Sequence, residues 1–153
     1  RRHALELLAS RAEQAPDDPW AARRRLDCLN DLAWLLATRP DPAPGDREEA
    51  VEAAQAATAA DPASPTYWNT LALALSRVGA DADALAAAQR SMELDEAWNG
   101  YDMAVLALAN ARLGLKDEAR IWIQEADRWR QARRGPDPIL DDLIRQAEAT
   151  AQA

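Results

Sequence analysis

Few side chains in this 153-residue chain are of a type that does acid–base or nucleophilic chemistry, and they are scattered. There is one histidine, His3, and one cysteine, Cys28. His3 stands at the start of the sequence, where fraying is expected. A histidine-based triad or metal site would therefore lack a rigid support. Cys28 falls mid-helix between Leu26 and Leu29, with only the Arg23–Arg25 turn as a cationic activator. It reads as a packed or partly buried thiol rather than a nucleophile. One cysteine also excludes an internal disulfide and a cysteine-cluster zinc site. Five glycines are spread across turns, so no phosphate-cradling loop is present. The carboxylate pairs Asp81/Asp83 and Asp141/Asp142 resemble metal ligands by type. Each falls in a first helical turn, where the helix dipole favours an acid without any metal. No catalytic, cofactor-binding or metal-ligating residue is expected, and the chain is not expected to be an enzyme.

The charge balance narrows the partners. With 18 Lys plus Arg against 26 Asp plus Glu, the net charge is −8 and the isoelectric point near 4.7. Binding along nucleic acid needs a surplus of cations to displace counterions, so no nucleic-acid partner is expected. Arg23, Arg24 and Arg25 are consecutive and fan around a helix rather than forming a patch. Arg130, Arg133 and Arg134 share a face near a helix C-terminus, where cations complement the dipole; an acidic partner is the other reading. A mean hydropathy of −0.45 and the lack of any run of 18 apolar residues exclude a membrane span. No signal peptide follows Arg1, Arg2 and His3, and a cytoplasmic location is expected. The missing initiator methionine points to a piece of a longer chain. The 37 alanines, and a single Lys116 among the cations, point to a GC-rich, bacterial source.

Alanine abundance with no Phe and few β-branched residues is a helix-former's composition. Asp18-Pro19, Ser64-Pro65 and Asp137-Pro138 each pair a capping side chain with proline at the first helical position. Asp46 with Glu49, and Asn99 with Asp102, stand at capping-box spacing. Gly79, Gly114 and Gly135 follow apolar-periodic runs, as left-handed C-terminal caps do. The prolines of residues 39–45 exclude a helix there. The pattern predicts helices over about residues 2–15, 19–38, 47–60, 65–78, 81–94, 100–113, 116–132 and 138–150, and no strand.

Residues 65–94 align on 100–129 with an offset of 35. Trp68, Leu71, Ala72 and Leu75 fall on Met103, Leu106, Ala107 and Asn110. Gly79 falls on Gly114, Ala84 on Ala119, Ala88 on Ile123 and Ser91 on Ala126. An earlier copy runs through Leu29, Leu32, Ala33, Leu36, Ala50, Ala54, Ala57 and Pro62, and a half copy through Ala4, Leu8 and Pro16. Helix pairs at this period bury their faces against neighbouring pairs. Nine positions where helix axes should cross closely are all small: Ala33, Ala50, Ala57, Ala72, Ala84, Ser91, Ala107, Ala119 and Ala126.

This order of a large residue, Leu-Ala, Gly, Ala, a small residue and Asp-Pro resembles the tetratricopeptide repeat (TPR). It covers about residues 26–129, with Asn110, Ala54, Ala88, Glu96 and Gln131 departing from the pattern. The resemblance implies an all-α, right-handed solenoid: a half repeat at 1–17, three repeats at about 18–62, 63–98 and 99–134, and a capping helix at 135–153. In such arrays the first helix of each pair lines a concave groove. The stripe facing it would carry Asn30, Trp34, Asn69, Leu73, Ser76 and Leu108, bordered by Asp27, Arg77, Tyr101 and Arg112. Amides beside apolar and aromatic patches suit a peptide or helix ligand. The alternative is that Trp34, Leu73 and Leu108 are core. The lysine–asparagine–arginine clamp by which one subtype grips a C-terminal carboxylate is absent, because Asn30, Trp34, Thr70, Tyr101 and Val105 occupy its places.

The resemblance thus implies a non-catalytic protein–protein interaction module. Residues 32–38 with their Pro-rich turn look like repeat tails of large bacterial signalling proteins. Two other readings stand beside it. The repeats act as an oligomerisation or docking domain through an uncovered N-terminal face at Leu5 and Leu8, or they regulate an enzyme domain of the same parent chain.

Overall fold

The computed structural model describes residues 19–133 and 135–153, and these are all-α, with no strand. Seven helices occur among the described residues: α1 (Pro19–Thr38), α2 (Asp46–Ala60), α3 (Pro65–Val78), α4 (Asp81–Leu94), α5 (Gly100–Arg112), α6 (Lys116–Ala132) and α7 (Pro138–Gln152). They lie within two residues of the predicted spans. The helix expected at 2–15, the half repeat, Asp18, Leu5 and Leu8 lie outside the described residues.

The punctuation follows the expected chemistry at some ends and departs from it at others. The Asp137 carboxylate accepts from the Leu140 N–H, and Asn99 accepts from the Tyr101 N–H. Gly79 and Gly114 stop α3 and α5 at φ of 76° and 81°, a region open to glycine. Ser64 makes no capping bond, leaving Pro65 as the start signal of α3. Asp46 corrects the capping-box expectation. It is the first residue of α2, and its carboxylate accepts from the Ala43 N–H and from Arg39, so it closes the Pro-rich turn. Asp102 corrects the other box, because its carboxylate turns to α3 and α4 instead of its own helix end.

Packing is sequential. Each helix packs on the next, and each odd helix also packs on the next odd one, giving α1 on α3, α3 on α5 and α5 on α7. The nine small crossing positions are all buried: eight alanines at 0% exposure and Ser91 at 3%. Bulk at any of them would hold two helix axes apart. Ala54 and Ala88, which depart from the repeat pattern, are also fully buried. One continuous core runs from Ala33 and Leu36 of α1 through α3 and α5 to Leu140, Leu143, Ile144 and Ala147 of α7.

Gly100 marks the tightest approach. A Cβ built there would sit 2.3 Å from the Trp129 ring, so the first turn of α5 lies flat on the indole of α6. Trp122 of α6 stacks at a tilt on Trp98, with centroids 6.2 Å apart.

Candidate binding face

The stripe on α1, α3 and α5 faces the start of α7, and α7 decides which of its members remain accessible. The apolar side of α7 was expected to close the end of the array. It packs on α6, but it also packs along α5, and its Asp142 reaches Arg77 of α3 at 3.4 Å. Leu73 and Leu108 share the core cluster with Leu140, Leu143 and Ile144, and are 0% and 1% exposed. The expectation that they present side chains to a ligand is therefore corrected: they are packing residues.

The polar members Asn30, Asn69 and Ser76 are all buried, and Asn69 is occupied within the fold. Asn69 is buried, and its Nδ2 donates to Asp102 Oδ1 at 2.8 Å. Ser91 Oγ lies 2.8 Å from Asp102 Oδ2 and 3.1 Å from the Pro65 carbonyl. Asp102, only 2% exposed, thus ties α5 to α3 and α4. Burial pushes its carboxyl up to about 6, aided by Asp95 and opposed by the two hydrogen bonds. Asn30 Oδ1 and Ser76 Oγ are buried without a hydrogen-bond partner.

Arg77 and Arg112, 35 residues apart, do the same work. Arg77 Nε donates to the Ala37 carbonyl at the end of α1, and Arg112 Nη1 donates to the Ser76 carbonyl near the end of α3. Each guanidinium satisfies a helix-end carbonyl of the preceding odd helix, where cations are favoured by the dipole. Arg112 also pairs with Asp81 at 3.1 Å. Arg77 lies below its ordinary pKa, first through burial and then through Arg47 and Arg112, against the pull of Asp142.

An aromatic bridge joins α1 to α5. Trp34 and Tyr101 meet edge to face with centroids 5.0 Å apart and planes at 86°, and both are half-buried. The Tyr101 hydroxyl donates to Asp137 Oδ2 at 2.7 Å, so the bridge extends to the start of α7. Burial, then donation to Asp137, push this hydroxyl above its ordinary value. Tyr67 makes an analogous bond to Asp27 at 2.6 Å and is pushed up to about 12, burial being the largest cause.

Several members of the acidic pairs and cation clusters have partners inside the fold. Asp141 pairs with Arg130 at 2.8 Å, and Asp142 pairs with Arg77 and Arg145. Arg133 lies over the Trp129 ring at 4.4 Å, and Arg134 lies outside the described residues. Cys28 is half-buried. Among the described residues, no group of three or more His, Cys, Asp or Glu stands where it would hold a metal. Among them, too, no helix is long and apolar enough to cross a membrane.

No protein-family model and no curated protein matches the chain.

Asp102, Asp137 and Gly100 were not among the expected site residues. For Asp102 a signal existed: it precedes residues 103–109, which are apolar all round, as in a helix buried on every side. A carboxylate at the edge of such a run must find donors on neighbouring helices.

Proposed function

We propose that the chain is a non-catalytic protein-binding module built of three tetratricopeptide-like repeats in a right-handed solenoid, and part of a larger bacterial regulatory protein. Two facts support the repeat reading: the burial of all nine small crossing positions, and the matching roles of Arg77 and Arg112. The observation that carries binding is the half-buried Trp34–Tyr101 bridge. It sets two amphipathic rings edge to face between α1 and α5, beside the start of α7. Aromatic pairs with one dry side and one wet side are the usual anchors of peptide and helix ligands. The ligand contact is thus narrower than the full stripe, and centres on Trp34 and Tyr101.

Selection of peptides from a displayed random library tests this reading, followed by titration of a selected peptide against the wild type and Trp34→Ala. The expected loss on Trp34→Ala is at least tenfold in affinity, a hot-spot effect of about 1.4 kcal/mol or more. Peptides that bind both proteins equally, or a library that yields no sequence preference, would refute it.

The oligomerisation reading draws on a different observation. Trp20 and Leu35 of α1 are 66% and 56% exposed. Light scattering on Leu35→Glu against the wild type, over micromolar concentrations, separates the two. A dimer lost in the variant favours self-association, and a monomer in both favours the aromatic face.

A further inference from the structure

The ends of α1 and α3 and the start of α2 meet the first turns of α7 around a cavity of about 530 Å³. Four arginines line it, Arg39, Arg47, Arg77 and Arg145, with a single acidic residue, Asp142. In a chain of net charge −8 this is a local reversal of sign. The four arginines come from four different places: the Pro-rich turn, the first turn of α2, the last turn of α3 and the middle of α7. Only the tertiary structure brings them together.

Their partners inside the fold leave positive charge over. Arg39 pairs with Asp46 at 2.8 Å. Arg77 and Arg145 share Asp142. Arg47 Nη1 lies 3.3 Å from the Arg77 carbonyl, and Arg47 makes no ion pair among the described residues. Four cations thus meet two carboxylates. Arg77 cannot swing away to relieve the crowding, because its side chain is only 17% exposed and its Nε is held on the Ala37 carbonyl. It uses two of its five N–H donors, on Ala37 and Asp142. Pro138 also lines the cavity, next to Asp137, which caps the first turn of α7.

We propose that this cavity is an anion site for a small molecule bearing a diphosphate group. A surplus of two positive charges matches a multiply charged anion better than a single carboxylate. Guanidinium forks bind phosphate oxygens in pairs. The volume is of small-molecule size rather than that of a lone ion. A ligand there would bind α7 to the ends of α1 and α3 and the start of α2 at once, and so tighten the docking of the helix that covers Leu73 and Leu108.

The test is calorimetric titration at constant ionic strength with inorganic pyrophosphate, ADP and citrate, paired with thermal melts. Saturable binding of pyrophosphate or ADP is expected, with a raised melting midpoint. Pyrophosphate binding as tightly as ADP assigns the site to the diphosphate alone, whereas tighter ADP binding adds a contact to the nucleoside. The variant R47Q/R145Q should melt as the wild type does, since both side chains lie at the surface, and should lose at least tenfold in affinity. Should that variant melt early, Arg145→Gln alone carries the comparison, its side chain being 74% exposed. The proposal is overturned if neither phosphate compound binds at millimolar concentration. It is equally overturned if citrate binds as tightly as pyrophosphate, or if the variants bind with wild-type affinity.

Discussion

Replacing Asp102 by asparagine should stabilise the protein at neutral pH, although it removes a charge held by two hydrogen bonds. Asp102 is 2% exposed and accepts from Asn69 and Ser91, both at 2.8 Å. Burial outweighs those two donors and pushes the carboxyl from 3.8 up to about 6. A rise of about two units, at about 1.36 kcal/mol each, is a cost of about 3 kcal/mol for holding the ionised form in the folded state. The sign follows from proton binding. Between pH 4 and pH 6 the folded chain holds this proton and the unfolded chain does not, so the group's contribution is greatest below pH 4. It is lost as pH rises through 6.

Asparagine is uncharged, as the protonated carboxyl is, and can keep both contacts. Its Oδ1 still accepts from Asn69, and its Nδ2 donates to Ser91 Oγ. That frees the serine hydroxyl proton for the Pro65 carbonyl, already 3.1 Å away. Guanidinium unfolding followed by tryptophan fluorescence at pH 5, 6 and 7 should show Asp102→Asn more stable at pH 7, by up to about 3 kcal/mol. The gap should narrow by about 1 kcal/mol by pH 5, because the wild type then carries its own proton. Every other carboxylate, Asp95 included, is common to both proteins, so the difference isolates Asp102. A variant less stable at pH 7, or a gap that does not change with pH, would refute the reasoning.

Gly100→Ala places a Cβ where the Trp129 ring already sits, and should cost about 1–3 kcal/mol in urea unfolding. Trp129→Leu in the same chain should recover part of that loss. Ser76→Ala removes a buried hydroxyl without a partner and should raise stability by up to about 1 kcal/mol in the same assay. Asp137→Ala removes both the cap of α7 and the acceptor of the Tyr101 hydroxyl. It should cost about 1–2 kcal/mol, with amide exchange rising first in α7 rather than in α3.

The helices and their order were legible in the sequence because local chemistry sets them: prolines and caps at the starts, glycines at the stops, and apolar positions at helical spacing. The small crossing residues were legible for the same reason, since the repeat supplies each position three times, from Ala33 to Ala107 and from Ala57 to Ala126. The apolar side of α7 could likewise be read from Ile139, Leu140, Leu143 and Ile144. What it would cover could not, because amphipathicity names a face and not its counterpart. The docking of α7 along α5, reaching α3 through Asp142, turned Leu73 and Leu108 into core and left Trp34 and Tyr101 at the edge. Long-range polar partners were invisible for a related reason. Asp102 with Asn69, and Arg77 with Ala37, are pairs 33 and 40 residues apart, and no local pattern records which helix end comes to rest against which. Residue types and their spacing set the elements, their period and their small contact points. The tertiary structure alone decided which polar groups lost their water and which arginines came to share one cavity, because burial and charge proximity exist only once the helices have packed.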